Sequence, residues 1–281
     1  MKQKNITFDL YRFHLIPITT NQTSILDNEK ISYDDLVAIK NNIFNTLVKN
    51  LTKNNTDFPI IEFDSTKDKF LFGIANVKET ELIKDFRTVK EKTEPFVYVL
   101  IDTDENNQII AISRNREAFS STKVTKNALK EIFNKHLFLN SLTVDIEQIF
   151  EVADFWEYVD KYNGRIKELD FEIIKPNMSK ISKTIQNSLK PLIEKVNSHK
   201  TNLILEAPSE GILENINSKN SYINGLVDYS SQGGGSVTMK VHGIQRKITT
   251  DKMVKTTKIN EIYLTGHKEQ ILKMWQEILK E

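Results

Sequence analysis

The apolar positions along this chain change period several times, and each change marks an element. Residues 6–15 alternate, with Ile6, Phe8 and Leu10 on one face and Arg12 beyond, which predicts a strand. Ser32 is placed to open a helix, with Asp35 three residues on as its capping-box partner. Leu36, Ile39, Ile43, Phe44, Leu47 and Leu51 supply that helix with an apolar stripe. Ile60–Phe63 and Phe70–Val77 read as strands, and Phe96–Ile101 with Ile109–Ile112 as a hairpin around the turn-rich loop from Asp102 to Asn107. A helix follows from about Thr125, with Leu129, Ile132, Phe133 and Leu137 on one side.

Near Asn140 the pattern starts afresh, which suggests two closely packed α+β units, 1–139 and 140–281. The second reads as strand 143–149, helix 152–162, strand 166–174, helix 179–190 and strand 202–206. Leu169, Phe171 and Ile173 alternate with Asp170 and Glu172, as in a strand with one wet face. Pro176 ends that strand, and Pro191 breaks or kinks the helix after it. A helix at 219–231, the run Gly233-Gly234-Gly235, a long hairpin from Ser236 to Leu264 and a last amphipathic helix complete the chain. Ile271, Trp275, Ile278 and Leu279 form the apolar face of that last helix. Adjacent strand pairs without intervening helices, at 96–112 and 236–264, argue for largely antiparallel sheets with flanking helices, an α+β fold.

Composition narrows the chemistry. There are 281 residues and no cysteine, so disulfides, thiolate zinc sites and a cysteine nucleophile are excluded. The first residues, Met1 to Ile18, carry Asp9 and Arg12 inside their apolar stretch, which does not suit a secretory leader, and no run is long enough for a membrane span. A cytoplasmic location is the expectation. The formal net charge is only +1, so any anion binding must come from local clustering.

That clustering is densest in the expected hairpin. Lys240, Arg246, Lys247, Lys252, Lys255 and Lys258 stand against Asp251 alone between Ser236 and Lys258. With Val237, Met239 and Val241 facing inward, Thr238, Lys240 and His242 face out. A two-stranded ribbon of this kind can follow a phosphate backbone, and helix 179–190, with Lys180, Lys183 and Lys190, can extend the surface. The competing reading is a solvated hairpin whose lysines deter edge-to-edge pairing.

Other constellations have plainer readings. The triple glycine is followed by Ser236-Val237 and a strand rather than by Gly-Lys-Ser/Thr and a helix. It therefore reads as a flexible helix-to-strand loop, with Gly233 as the helix C-cap. Asp102, Asp104 and Glu105 can bind a divalent metal, but they fall where a polar hairpin turn is expected. Glu147, Glu151, Asp154 and Glu157 read as one solvated or partner-facing acidic face. His14, His136, His199, His242 and His267 lack ligand spacing, and no nucleophile elbow is present. Trp156 and Trp275 read as core or dimer-interface anchors, and Met274, Trp275 and Ile278 as a self-complementary patch that makes the protein at least a dimer. No catalytic residue, metal site or cofactor is expected.

The segment Lys167-Glu168-Leu169-Asp170-Phe171-Glu172-Ile173-Ile174-Lys175-Pro176-Asn177, followed by a lysine-bearing helix and the strand Asn202-Leu203-Ile204-Leu205, resembles the second half of phage-exclusion proteins of the lambda Rex type. Phe8-Asp9-Leu10-Tyr11-Arg12-Phe13-His14 is similar to the opening of abortive-infection and Kiwa-like defence proteins. The likeness to the Rex type covers roughly residues 95–240 and is structural rather than catalytic. It implies a dimeric intracellular DNA-binding protein, and the excess of lysine over arginine in the hairpin adds the expectation that double-stranded DNA is held through its phosphates with little sequence preference. Such a protein senses infection and controls an effector, in the Rex scheme a membrane protein encoded nearby. The alternatives are a metal-dependent nuclease that is itself the effector, and a protein–protein scaffold in which the acidic helix and Trp275 make contacts.

Overall fold

The computed structural model describes residues 5–18, 32–54, 58–84, 86–175, 190–196, 198–264, 273–276 and 278. The lysine-bearing helix expected at 179–190, apart from the backbone of Lys190, lies outside these residues, as do Ile271 and Leu279. Within them the local signals read from the sequence act through specific atoms. Ser32 Oγ accepts the Asp35 amide at 3.1 Å and donates to the Asp35 carboxylate at 2.7 Å, which opens α1 (Tyr33–Lys49). Leu36, Phe44 and Leu47 of its stripe are buried, whereas Ile39 faces solvent. A short α2 (Leu51–Asn54) follows, with Leu51 buried.

The fold is α+β, and every strand pair whose register is defined is antiparallel. β1 (Asn5–Pro17), β2 (Ile60–Ser65), β3 (Lys69–Ala75), β6 (Phe96–Asp102), β7 (Ile109–Ser113), β8 (Leu142–Gln148) and β13 (Thr256–Asn260) form a seven-stranded sheet. Its order is β13-β1-β7-β6-β3-β2, with β8 also paired to β1. β9 (Ile166–Ile174), β10 (Lys200–Glu206), β11 (Gly235–Val241) and β12 (Ile248–Thr249) form a second sheet of order β10-β9-β11-β12. A two-stranded ribbon of β4 (Lys78–Lys84) and β5 (Arg87–Thr93) stands apart from both.

The chain divides into two compact units, and they are not consecutive stretches. The first holds Met1–Asp9, Pro17–Asp145 and Thr256–Glu281, the second Leu10–Ile16 and Ile146–Lys255. In the first, the central strands β3, β6 and β7 are buried almost throughout. Phe44 of α1 and Phe133 of α3 (Thr122–Leu137) meet edge to face, ring centroids 5.1 Å apart. Met274, Trp275 and Ile278 are buried in this unit, so the expected self-complementary patch is spent inside the monomer.

In the second unit the alternation of β9 works as read. Leu169, Phe171 and Ile173 join Val237, Met239 and Val241 of β11 in one apolar face. That face packs with Phe155 and Val159 of α4 (Val152–Lys161), Ile193 of α5 (Lys190–Lys195), and Ile223, Leu226, Val227 and Tyr229 of α6 (Ser221–Tyr229). Each fully buried Leu, Ile or Phe contributes about 1.5–3 kcal/mol. Glu147 is buried on β8, so it is not part of an acidic helix face with Asp154 and Glu157.

Two segments depart from their sequence pattern. The glycine run is packed, not flexible: Gly233, Gly234 and Gly235 are all buried. A Cβ would lie 2.5 Å from the Arg12 Cβ at Gly233, 2.4 Å from the Tyr229 ring at Gly234, and 1.8 Å from the Glu172 carbonyl oxygen at Gly235. The long hairpin is also broken. β12 pairs with β11 only at Thr249–Thr238 and Ile248–Met239. At the next position Thr250 Oγ1 accepts the Val237 amide at 3.1 Å, so a side chain ends the ladder. The chain then turns through Thr250–Lys252, and β13 pairs with β1 instead, from Asp9–Thr256 to Asn5–Asn260.

Candidate nucleic-acid interface

Breaking the hairpin separates the six cations. Lys240 and Lys247 stay together, because the β9–β11 register sets Lys240 opposite Glu168 and the short β12 brings Lys247 beside them. Glu168 Oε1 accepts Lys247 Nζ at 2.7 Å, and its Oε2 lies 3.8 Å from Lys240 Nζ. The Lys247 hydrogen bond holds the Glu168 carboxyl below the usual range, and Glu168 raises the Lys247 ammonium in turn. Arg246 is exposed in the connecting loop, and Lys252 is exposed at the end of the turn Thr250–Lys252. Lys255 is largely covered and lies 3.2 Å from Glu151. Lys258 is exposed on β13, in the first unit, and so does not share a compact unit with the other five.

Two cations outside the expected hairpin join the loop end of this sheet. Arg165 Nη2 donates to the His242 carbonyl at 2.8 Å, while the His242 amide donates to the Arg165 carbonyl at 2.8 Å. Lys167, next along β9, lines a cleft of about 760 Å³ with Lys240, His242, Lys247, Glu206 and Glu210. Arg165, Lys167, Lys240, Arg246 and Lys247 thus gather at one end of the second unit's sheet, against Glu168, Glu206 and Glu210. No local pattern joins Arg165 to residue 242; only the β9–β11 register does.

The polar face of the same sheet carries Glu168, Asp170 and Glu172 in a row on β9. Burial pushes the Asp170 carboxyl up against the opposing pull of the Lys247 ammonium, and the neighbouring Glu168 and Glu172 add to the rise. Its Oδ1 is buried without a hydrogen-bond partner among the described residues. A carboxyl raised in the folded state opposes folding wherever it must ionise: the penalty is full above the folded pKa and gone below the unfolded one. Asp170→Asn is therefore expected to raise the melting temperature at neutral pH, with the gain vanishing below the ordinary aspartate range. Melts of both proteins across pH check this.

The Asp102 loop is a turn held by its own side chains. Asp102 Oδ1 accepts the Asp104 amide at 3.0 Å, and its Oδ2 accepts Asn107 Nδ2 at 2.9 Å and pairs with Lys69 Nζ at 3.0 Å. Asp104 Oδ1 accepts the Asn106 amide at 2.9 Å. Among the described residues no group of three or more His, Asp or Glu is placed to hold a metal, and no helix is long and apolar enough to cross a membrane. His14 is buried, with Nε2 2.6 Å from the Gly233 carbonyl. Comparisons with protein-family models, with curated proteins and with solved structures found no match.

Proposed function

We propose that this chain binds the phosphate backbone of double-stranded DNA without cutting it, as the DNA-binding component of an anti-phage system of the abortive-infection type. The supporting observation is the gathering of Arg165, Lys167, Lys240, Arg246 and Lys247 at one end of a sheet, in a chain whose net charge is only +1. Lysine point charges on a strand end suit phosphate binding more than reading of base edges. The defence role rests on the likeness of residues 95–240 to the Rex type, and with it go self-association and control of a separate effector.

The binding reading is tested with Lys167→Gln, Lys240→Gln and Arg246→Gln combined. These are surface changes, and the Lys247–Glu168 hydrogen bond is left in place. Every phosphate that is no longer neutralised lowers the salt slope of log K by about one unit. The triple variant is therefore expected to shed up to about three units of slope and to release DNA at moderate salt. A variant that matches the parent across a salt titration overturns this interface. Disappearance of full-length DNA on adding magnesium overturns the non-enzymatic reading in favour of the nuclease.

A further inference from the structure

The first unit contains a second cationic feature that the DNA reading does not use. Helix α3 begins at Thr122, and its N-cap, Ser121, makes no side-chain capping hydrogen bond. Its first turn holds no acidic residue and does hold Lys123, the reverse of what the helix dipole favours. The start of a helix leaves backbone amides without intrahelical acceptors, and an anion is their natural complement.

A cavity of about 220 Å³ opens on this helix end, lined by Asp9, Ser113, Arg114, Arg116, Ser121 and Thr125 among others. Thr125 carries the decisive observation. It is 1 % exposed, it lines the cavity, and its Oγ1 has no hydrogen-bond partner among the described residues. A buried hydroxyl in that state is costly unless something accepts its proton. Asp9 does not make the cavity anionic. Its Oδ1 accepts Arg114 Nε at 2.7 Å and its Oδ2 accepts the Thr122 hydroxyl. The first bond leaves the Arg114 Nη hydrogens for another acceptor, and Arg116 makes the set net positive.

Ser113, Arg114 and Asn115 also line a neighbouring cleft of about 570 Å³, whose wall includes Phe96 and Tyr98. These rings meet edge to face at 5.0 Å, and Phe63 joins them at 6.0 and 5.6 Å. Gly73 makes room for the group, since a Cβ there would lie 2.6 Å from the Phe63 ring. Partly exposed aromatic rings beside a phosphate site suit a nucleobase.

We propose that the N-terminus of α3 binds the phosphate of a nucleotide, with Arg114, Arg116 and the Thr125 hydroxyl as ligands and the base against Phe96 and Tyr98. This site is independent of the DNA interface. It is tested by calorimetry and thermal shift on the full chain with inorganic phosphate, adenosine and AMP. AMP is expected to bind tightest and phosphate measurably. Thr125→Val, which keeps shape and removes the hydroxyl, is expected to bind AMP about tenfold more weakly. Ser121→Asp supplies a carboxylate to the same amides, so it is expected to melt higher than the parent yet lose the response to phosphate and AMP. Phe96→Ala is expected to reduce AMP to the level of phosphate alone. Absence of binding by both anions at millimolar concentration overturns the proposal, as does unchanged AMP affinity in both Thr125→Val and Ser121→Asp. AMP no tighter than phosphate overturns the nucleotide and leaves a phosphate site.

Discussion

Replacing Gly235 by alanine is expected to remove about 4 kcal/mol or more of stability from the second unit, among the largest effects available to a single methyl group. Two costs combine. At φ 142° the backbone lies where side-chain-bearing residues are strained, at roughly 1–3 kcal/mol. The new Cβ would also sit 1.8 Å from the Glu172 carbonyl oxygen and 2.8 Å from its carbon, so β11 must move away from β9 in the middle of the sheet. Overpacking against backbone adds a further cost of roughly 1–3 kcal/mol. The melting temperature of that unit is expected to fall by roughly 15 °C. Ser236→Ala, one position on, is expected to stay within about 0.5 kcal/mol of the parent. Equal melting of the Gly235→Ala protein and its parent would mean that β9 and β11 do not approach as described.

Asp102→Ala is expected to cost about 3 kcal/mol in the first unit. The carboxylate is fully buried and collects the Asp104 amide, Asn107 Nδ2 and Lys69 Nζ. Its removal leaves two donors and an ammonium without their acceptor. Breaking a buried pair by deleting one partner costs about 3–5 kcal/mol, and Lys69, which is partly exposed, recovers some of that by reaching water. Asp104→Ala, whose carboxylate accepts from the exposed Asn106, is expected to cost about 1 kcal/mol or less. Chemical denaturation of the pair separates the two roles: a loop built to hold a metal would show similar losses at both positions.

Much of the fold is legible in the sequence wherever one face of an element is wet and the other dry. β9 is the clearest case, since Leu169, Phe171 and Ile173 alternate with Glu168, Asp170 and Glu172 and the buried face follows directly. Ser32 is legible because capping is local. The ribbon β4–β5 is not, and for a physical reason. β5 is exposed along its whole length, so the segment carries no apolar alternation. Its ordering signal is the cross-strand matching of Glu79 with Lys92 and Glu81 with Lys90, which exists only once the register is known.

The candidate site shows the same limit. Lysine density alone points to 240–258, but the partners that decide each lysine's role come from far along the chain. Glu168 takes Lys240 and Lys247, Glu151 takes Lys255, and pairing with β1 carries Lys258 into the other unit. Arg165 and Lys167 join the cluster through strand pairing, which no count of local charge contains. The glycine run misleads for a related reason: what glycine permits is set by its neighbours, here Arg12, Tyr229 and Glu172.

The pairing of β13 with β1 also bears on how the chain is made. The edge partner of Asn5–Asp9 is Thr256–Asn260, so the first unit's sheet stays incomplete until some 250 intervening residues have left the ribosome. Pairings of such long sequence separation form late and slowly. During synthesis the amides and carbonyls of β1 that β13 will take present an open strand edge, a template for mispairing with another nascent chain. The second unit, whose strands and helices come almost wholly from 146–255, is finished before the unit that precedes it in sequence, so of the two the unit started first is completed last.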